Sequence, residues 1–190
     1  FILTDNSWWS YNTPAPNDTL KRTIVGSGLL NGVEYKLLKE LNLTGAFDDT
    51  LFIRKSGNNY YELNYVDQYT SFYLDGTIVD SLLFLREGLT TGETWNSNEY
   101  SDAVNNVPTK IRYKFTCTNA NATVSLNGKT YTNVYQVTMT PQVNTNNAGY
   151  VDDSWVWVNY YAQGIGWIYQ KLTVSTGGGF ELPVKNYMVF

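Results

Sequence analysis

Histidine is the most informative absence from this sequence of 190 residues, because the chain contains none. Without histidine, Ser-His-Asp and Cys-His catalysis, histidine-ligated zinc and the two-histidine, one-carboxylate iron site are all excluded. A Ser-Lys pair is the remaining way to activate a serine, but no Ser-x-x-Lys sequence stands on a plausible helix. Catalysis, if there were any, would depend on carboxylates.

Cysteine, basic residues and long apolar runs are also scarce. The single cysteine, Cys117, has no intrachain partner for a disulfide. A net charge of -4 leaves no basic surface for phosphates, so nucleic acid is not an expected partner. No apolar run approaches the about 18 residues of a membrane-spanning helix, and Phe1 is not followed by a signal-peptide pattern. The sequence therefore predicts a soluble chain or the mature part of an exported one.

The residues that the chain has in quantity favour strands. Tyrosine occurs 16 times and tryptophan 6 times, and aromatic residues are enriched in strands. In the stretch TKIRYKFTC, apolar Ile111, Tyr113, Phe115 and Cys117 alternate with polar neighbours, which gives one core face and one solvated face. Such segments recur and predict an all-β fold, a curved antiparallel meander with little or no helix. The predicted strands cover 20–29, 33–41, 50–55, 60–67, 69–74, 77–85, 110–118, 122–126, 129–140, 154–162, 166–175 and 180–189.

The segments between these strands carry turn signals. Asn31-Gly32, Asp75-Gly76 and Asn127-Gly128 fit two-residue hairpin turns, because both positions of such a turn need positive φ. A looser turn is predicted at 56–59. Residues 97–107 are predicted as a short helix or a long loop. We expect a single β domain over 1–190, with 1–20 as an irregular N-terminal arm.

Two pairs of adjacent aspartates are the candidate chemical groups. Asp48-Asp49 and Asp152-Asp153 each stand just before a predicted strand, as solvated turn residues do. Glycosidases need two carboxyl groups facing each other at about 5 to 9 Å, whereas neighbours on a strand point to opposite faces. Turn formation is the favoured interpretation, with cation binding in the loop 144–153 and catalysis as alternatives. We predict no catalytic residue, no metal site and no cofactor.

An aromatic cluster near the C-terminus is the candidate binding surface. Alternation places Trp155, Trp157 and Tyr161 on one face of a strand whose other face is also apolar. Such a strand is buried on both sides, or it is buried on one side and faces a ligand cavity on the other. The candidate ligand-binding residues are Trp155, Trp157, Tyr161, Trp167 and Tyr169.

The stretch AQGIGW lies within this cluster and is best explained as a hairpin corner. A dinucleotide-binding loop would need a third glycine where Tyr169 stands, followed by a helix, whereas a strand pattern follows here. Gly164 and Gly166 are therefore predicted as structural turn residues that let the chain reverse tightly.

Four stretches together resemble a family of secreted Bacteroidetes-type lipoproteins of unknown function, the TapB-like and YmcC-like proteins. The closing hairpin YYAQGIGWIYQKL matches the family's aromatic-x-Ala-x-Gly-Ile-Gly motif, and three shorter matches precede it in the family's order. These are DNSWWSYN (5–12), LREGLTTGETW (85–95) and LNGKTYTNVYQVTM (126–139). The departure is Trp167, where many members have a smaller aliphatic residue.

The resemblance implies a half-barrel or open barrel and a lipidated cysteine upstream of Phe1, with no catalytic residues to carry over. The expected function is a non-enzymatic exported cell-envelope protein, periplasmic or at the cell surface. It would bind an apolar or amphipathic ligand, or an envelope protein, on its concave face. The alternatives are a carbohydrate-binding module that uses exposed Trp and Tyr, a carboxylate-based glycoside-cleaving enzyme, and a purely structural surface module.

Overall fold

The alternating segments form a continuous antiparallel sheet. The computed structural model describes residues 1, 3–15, 18–45 and 48–190, and no helix occurs among them. The strands over these residues are β1 (Trp8–Asn12), β2 (Thr19–Leu30), β3 (Val33–Asn42), β4 (Asp48–Ser56), β5 (Asn59–Tyr65), β6 (Val79–Arg86), β7 (Thr94–Asn96), β8 (Tyr100–Val104), β9 (Val107–Leu126), β10 (Lys129–Thr145), β11 (Val151–Asp152), β12 (Trp155–Ala162), β13 (Gly166–Val174) and β14 (Gly179–Met188).

The sheet is a curled half-barrel that does not close, as the sequence predicts. Its strand order is β6-β5-β4-β3-β2-β1-β14-β13-β12-β10-β9-β7, with β8 beside β9 and β11 beside β10. The two open edges, β6 and β7, are bridged by side chains. The Trp95 indole N–H donates to the Leu83 carbonyl at 3.0 Å, and Arg86 pairs with Glu93 at 2.6 Å.

The segment 1–20 contains a strand, where the sequence suggests only an irregular arm. Strand β1 pairs with β2 on one side and β14 on the other. Its alternate side chains Trp9 and Tyr11 are fully buried, so this short strand is held by packing as well as by its ladders. It joins the N-terminal and C-terminal halves of the sheet. Residues 2, 16 and 17 lie outside the described residues.

The segment 97–107 also differs from its prediction, because it forms β8 and a hairpin turn instead of a helix or a long loop. Asn105 and Asn106 both have positive φ, 51° and 63°, a conformation that asparagine tolerates better than most residues. Their amides donate to the Asp75 carboxylate at 2.9 Å each. Asp75-Gly76 is therefore not a hairpin turn between strands, since Asp75 supports another turn.

The predicted strand 69–74 is wrong for a related reason. Residues 66–78, which connect β5 to β6 and which we call the covering loop, satisfy several amides locally. The Leu74 amide donates to the Asp67 carboxylate at 3.0 Å, and the Ser71 amide donates to Asp153 at 2.7 Å. Donors that are engaged in this way are not available for a strand ladder.

Strands β9 and β10 form the long hairpin of the C-terminal half. The Asn127-Gly128 turn joins them as predicted, but β9 is one strand where the sequence suggests two, 110–118 and 122–126. Asn133 has a φ of 53°, and the register shifts around it. This bulge explains why Val134 is buried although strict alternation would place it outside.

Candidate ligand-binding groove

The five aromatic residues singled out from the sequence do not all share one face. Tyr161 pairs with Trp167 across the β12–β13 ladder, and both are buried. Trp157 lies on the same face by alternation and is also buried. Tyr169 pairs with Tyr160 on the opposite face, where their rings stack at 4.7 Å. Trp155 is half-buried and touches Trp157 edge to face.

Part of the concave face is filled by the protein's own rings. Trp167 stacks on Phe84 with 5.1 Å between ring centroids and 5° between planes, and Tyr161 lies 5.5 Å from Trp167. Phe1 contacts Trp9 as well as these rings. This aromatic cluster is core, so Tyr161 acts chiefly in packing and Trp167 contributes to packing on one side.

The glycine corner lies directly beside this cluster. Gly164 and Gly166 have φ of 71° and 109° in the β12–β13 hairpin. A Cβ on Gly166 would stand 3.3 Å from the Phe1 ring and 3.4 Å from Trp9. The Trp9 indole donates to the Ile165 carbonyl at 3.0 Å. The corner therefore needs both positive φ and a bare backbone for close packing.

A groove of about 310 Å³ remains open on the inner face, and we call it the inner groove. Trp157 and Trp167 form part of its wall, whereas Trp155, Tyr161 and Tyr169 do not. Gln68 and Tyr69 bring the covering loop to the same groove. The described residues that line it are Thr13, Pro14, Asp18, Leu20, Arg22, Glu40, Asn42, Asp49, Leu51, Asn64, Gln68, Tyr69, Trp157, Trp167, Gln170, Phe180 and Leu182.

Three rings at one end of the inner groove meet at steep angles. Tyr69 lies 5.3 Å from Trp157 with 81° between planes, and Phe180 lies 5.6 Å from Trp157 with 74° between planes. The Trp157 indole N–H donates to the Tyr69 carbonyl at 3.1 Å, which fixes the central ring. We call these three residues the aromatic corner of the groove.

A buried ion pair also lines the inner groove. Arg22 on β2 pairs with Glu40 on β3, and both side chains are almost completely buried. Arg22 Nη2 also donates to Gln170 Oε1 at 2.9 Å. Burial alone would lower the pKa of Arg22, but the adjacent Glu40 carboxylate raises it above its usual value. The guanidinium is therefore charged at every ordinary pH.

A second buried carboxylate, Glu62, supports the covering loop. It accepts hydrogen bonds from the Tyr69 hydroxyl and from Asn64 Nδ2. Burial raises the pKa of Glu62 above its usual value, against the opposing effect of these two hydrogen bonds. Because Tyr69 belongs to the aromatic corner, Glu62 holds one wall of the groove in place.

Asp153 anchors the covering loop from the other side. Its carboxylate accepts from the Thr70 hydroxyl at 2.6 Å and from the amide and hydroxyl of Ser71. Partial burial would raise its pKa, but these hydrogen bonds lower it below the usual value. Asp153 is thus a structural carboxylate with a distant partner segment, and not the solvated turn residue that the sequence suggests.

The other aspartates of the two pairs have separate environments. Asp152 accepts from Gln142 at 2.7 Å. Asp48 pairs with Lys39 at 3.4 Å, whereas Asp49 lines the inner groove. Each pair therefore points in two directions, as alternation requires. Among the described residues, no group of three Cys, Asp or Glu side chains could hold a metal ion.

Another cavity, of about 450 Å³, lies beside the glycine corner. Tyr161 and Gln163 line it together with Tyr60, Arg86 and Glu87. Glu87 is paired there with Lys55 at 2.6 Å. Its two charged lining residues, Arg86 and Glu87, are both engaged in ion pairs.

None of the six tryptophans forms an exposed platform. Trp9, Trp157 and Trp167 are buried, while Trp8, Trp95 and Trp155 are half-buried. Trp95 stacks on Phe115 at 5.1 Å. The flat, exposed pair of indoles that a surface carbohydrate site would present is therefore absent from the described residues.

The comparisons with known proteins concern the fold. Neither protein-family models nor curated protein sequences give a match. A candidate lipoprotein from Parabacteroides distasonis is similar in structure, with a TM-score of 0.56 and 6% identity over 99% of this chain and 97% of that one. A candidate exported protein with a YmcC-like fold from Bacteroides fragilis gives a TM-score of 0.49 and 10% identity over 99% and 98%. At 6% identity, the likeness to the first protein shows a shared fold. Among the described residues, no helix is long and apolar enough to cross a membrane.

Several residues of the groove escape analysis of the sequence alone. Arg22, Glu40 and Gln170 are polar residues at inward positions, and Tyr69 belongs to a segment predicted as a strand. Phe180 stands at the start of β14, after a run of three glycines. The sequence does contain a signal for Arg22. Leu20, Arg22 and Ile24 point to the same face of their strand, so Arg22 places a charge on an otherwise apolar face.

Proposed function

We propose that this chain is a non-enzymatic, exported cell-envelope protein that binds an amphipathic ligand in the inner groove. The observation that carries the proposal is the groove itself, an open hollow of about 310 Å³. Aromatic and aliphatic side chains, Trp157, Trp167 and Leu182 among them, form one part of its wall, and polar or charged side chains form the rest, so the groove is amphipathic. Small-molecule sites usually combine an apolar lining with a small number of placed polar groups.

Export is supported by the fold and by the sequence. The fold is shared with a protein described as a candidate lipoprotein, and the four sequence stretches resemble secreted lipoproteins. On this proposal a lipidated cysteine upstream of Phe1 attaches the protein to a membrane in the periplasm or at the cell surface. The half-barrel would then hold its ligand outside the bilayer. An envelope protein that binds the concave face in place of a small ligand is the alternative.

The ligand proposal is tested with the neutral fluorescent probe N-phenyl-1-naphthylamine. We expect saturable binding that is weakened about fivefold or more by Phe180→Ala, because this change removes one wall of the aromatic corner. Phe52→Ala is the matched control, since Phe52 is also half-buried on a strand but does not line the groove. Circular dichroism checks that both variants remain folded.

Two results would contradict the proposal. One is the absence of saturable probe binding to the parent protein, and the other is an equal loss of affinity in both variants. If the probe does not bind but soluble oligosaccharides change tryptophan emission, the carbohydrate-binding alternative takes its place.

A further inference from the structure

We propose that the polar end of the ligand is a cation, such as a primary or quaternary ammonium group, and not a carboxylate or phosphate. This inference rests on the proposed function, because it assigns a charge to the ligand of the same inner groove. It follows from the charges that line the groove, from the partners of those charges and from the geometry of the aromatic corner.

The lining of the inner groove is acidic. Asp18, Glu40 and Asp49 supply three carboxylates, and Arg22 supplies the one basic side chain of the lining. Arg22 and Glu40 neutralise each other in the buried ion pair. The charge that remains to face a ligand is therefore that of Asp18 and Asp49.

Arg22 is not placed to receive an anionic head group. Its residue surface is 4% exposed, and its guanidinium lies 5.0 Å from the Tyr11 ring centroid and 4.9 Å from that of Trp167. Nη1 is closed off from solvent as well and has no hydrogen-bond partner among the described residues. With Glu40 and Gln170 on its other nitrogens, the guanidinium is enclosed by groups of this chain and is almost inaccessible to an anion, whereas Asp49 is exposed.

The two uncompensated carboxylates stand on different elements. Leu51 and Ile53 are the buried residues of β4, and Asp49 stands two residues before Leu51. Because alternate residues of a strand share a face, Asp49 lies on the inner face. Its Oδ1 accepts from the adjacent Thr50 amide, at 2.7 Å. Asp18 accepts from the amides of Thr19 and Leu43 and from Asn42 Nδ2, all of them neutral donors. In the described part of the chain, neither aspartate has a lysine or arginine within ion-pair distance.

The aromatic corner supplies a second reason for a cation. Tyr69, Trp157 and Phe180 meet at 81° and 74°, so ring faces of different orientation border the same end of the groove. The faces of aromatic rings carry negative potential and attract ammonium groups, and sets of rings at steep angles recognise quaternary ammonium ligands. Aromatic faces and nearby carboxylates thus favour the same sign of charge.

The test compares three probes that share one eight-carbon chain: octyltrimethylammonium, octyl sulfate and octanol. Binding is followed by isothermal titration calorimetry below the micelle concentration. We expect the ammonium probe to bind about tenfold more tightly than the sulfate, with octanol between them. This preference should shrink when salt is raised from about 20 mM to about 500 mM, because salt screens charges at an open rim.

A pair of adjacent variants separates a local effect from a change in net charge. Asp49→Asn should reduce the preference for the ammonium probe about threefold, whereas Asp48→Asn removes the same charge from the opposite face and should leave it unchanged. Equal binding of the three probes, tighter binding of octyl sulfate, or equal effects of the two variants would overturn the inference and leave the proposed function intact. If none of the three probes binds, the proposed function fails instead.

Discussion

The removal of Asp153 should loosen the covering loop and lower the stability of the whole domain. The side chain is 9% exposed, and it accepts from Thr70, which is fully buried, and from the amide of Ser71. In Asp153→Ala these two donors lose their acceptor, as do the hydroxyl of Ser71 and the donors of Ser154. A buried donor left without a partner costs about 1–3 kcal/mol. Because Thr70 is buried whereas Ser71 is exposed, we expect a total loss of about 3 kcal/mol in the free energy of unfolding.

This loss is large enough for simple assays. For a chain of this length, 1 kcal/mol corresponds to a shift of about 2–4 °C in the melting temperature, so Asp153→Ala should melt about 6–12 °C below the parent protein. Urea unfolding followed by circular dichroism gives the free energy directly. Asp153→Asn keeps one acceptor and should lose about half as much, because hydrogen bonds to a neutral oxygen are weaker than those to a carboxylate.

Asp152→Asn is the matched control for Asp153. Asp152 is exposed and accepts one bond from Gln142, so its change should cost less than about 0.5 kcal/mol. Because folding lowers the pKa of Asp153, its contribution is present above the unfolded pKa of about 3.9 and is lost as the pH falls through the lower folded value. If Asp153→Ala were as stable as Asp152→Asn at neutral pH, the assigned role of Asp153 would be refuted.

Three further predictions concern the corner, the buried carboxylate and the open edges. Gly166→Ala should destabilise the protein by more than Gly164→Ala in urea unfolding, because only the first added methyl group meets neighbouring rings. Folding raises the pKa of Glu62, so the parent loses stability relative to Glu62→Gln as the pH rises from the unfolded pKa of about 4.3 through the raised folded value. Urea unfolding of both proteins over this pH range measures the difference. Trp95→Phe removes the indole donor between β6 and β7 and should speed amide hydrogen exchange in β6, whereas unchanged exchange would show that the bridge is unimportant.

The sequence was sufficient for the fold class because alternation and turn chemistry are local. Ile111, Tyr113, Phe115 and Cys117 are buried as predicted, and the Asn31-Gly32 pair forms its hairpin turn with positive φ at both residues. The predicted strand 69–74 was wrong because side chains, and not a neighbouring strand, accept hydrogen bonds from its backbone amides. Carboxylates capture the amides of the covering loop, and no local pattern reveals a hydrogen bond between residues 82 positions apart.

The inner groove was less predictable because it depends on register. Counting back from the two-residue turn at Asn31-Gly32 would place Arg22 opposite Leu41. A bulge between Ile24 and Ser27 shifts the ladder by one residue and places Arg22 opposite Glu40 instead. A shift of one residue turns each side chain toward a different neighbour. The ion pair, and with it the charge balance of the groove, could not be derived without that bulge.

The polar side chains on the inner face are the feature that favours the proposed binding function over a purely structural module. A buried ion pair such as Arg22–Glu40 is often no more stabilising than well-packed apolar residues of the same volume, and the buried Glu62 carries a raised pKa because its charge is poorly solvated. A domain selected only for stability has little reason to keep these groups inside a sheet that holds ample aromatic residues. Arg22 and Glu40 line the inner groove, and Glu62 holds the hydroxyl of Tyr69, which lines it too. On the proposed function, such polar groups orient the ligand, a role that core packing alone does not require.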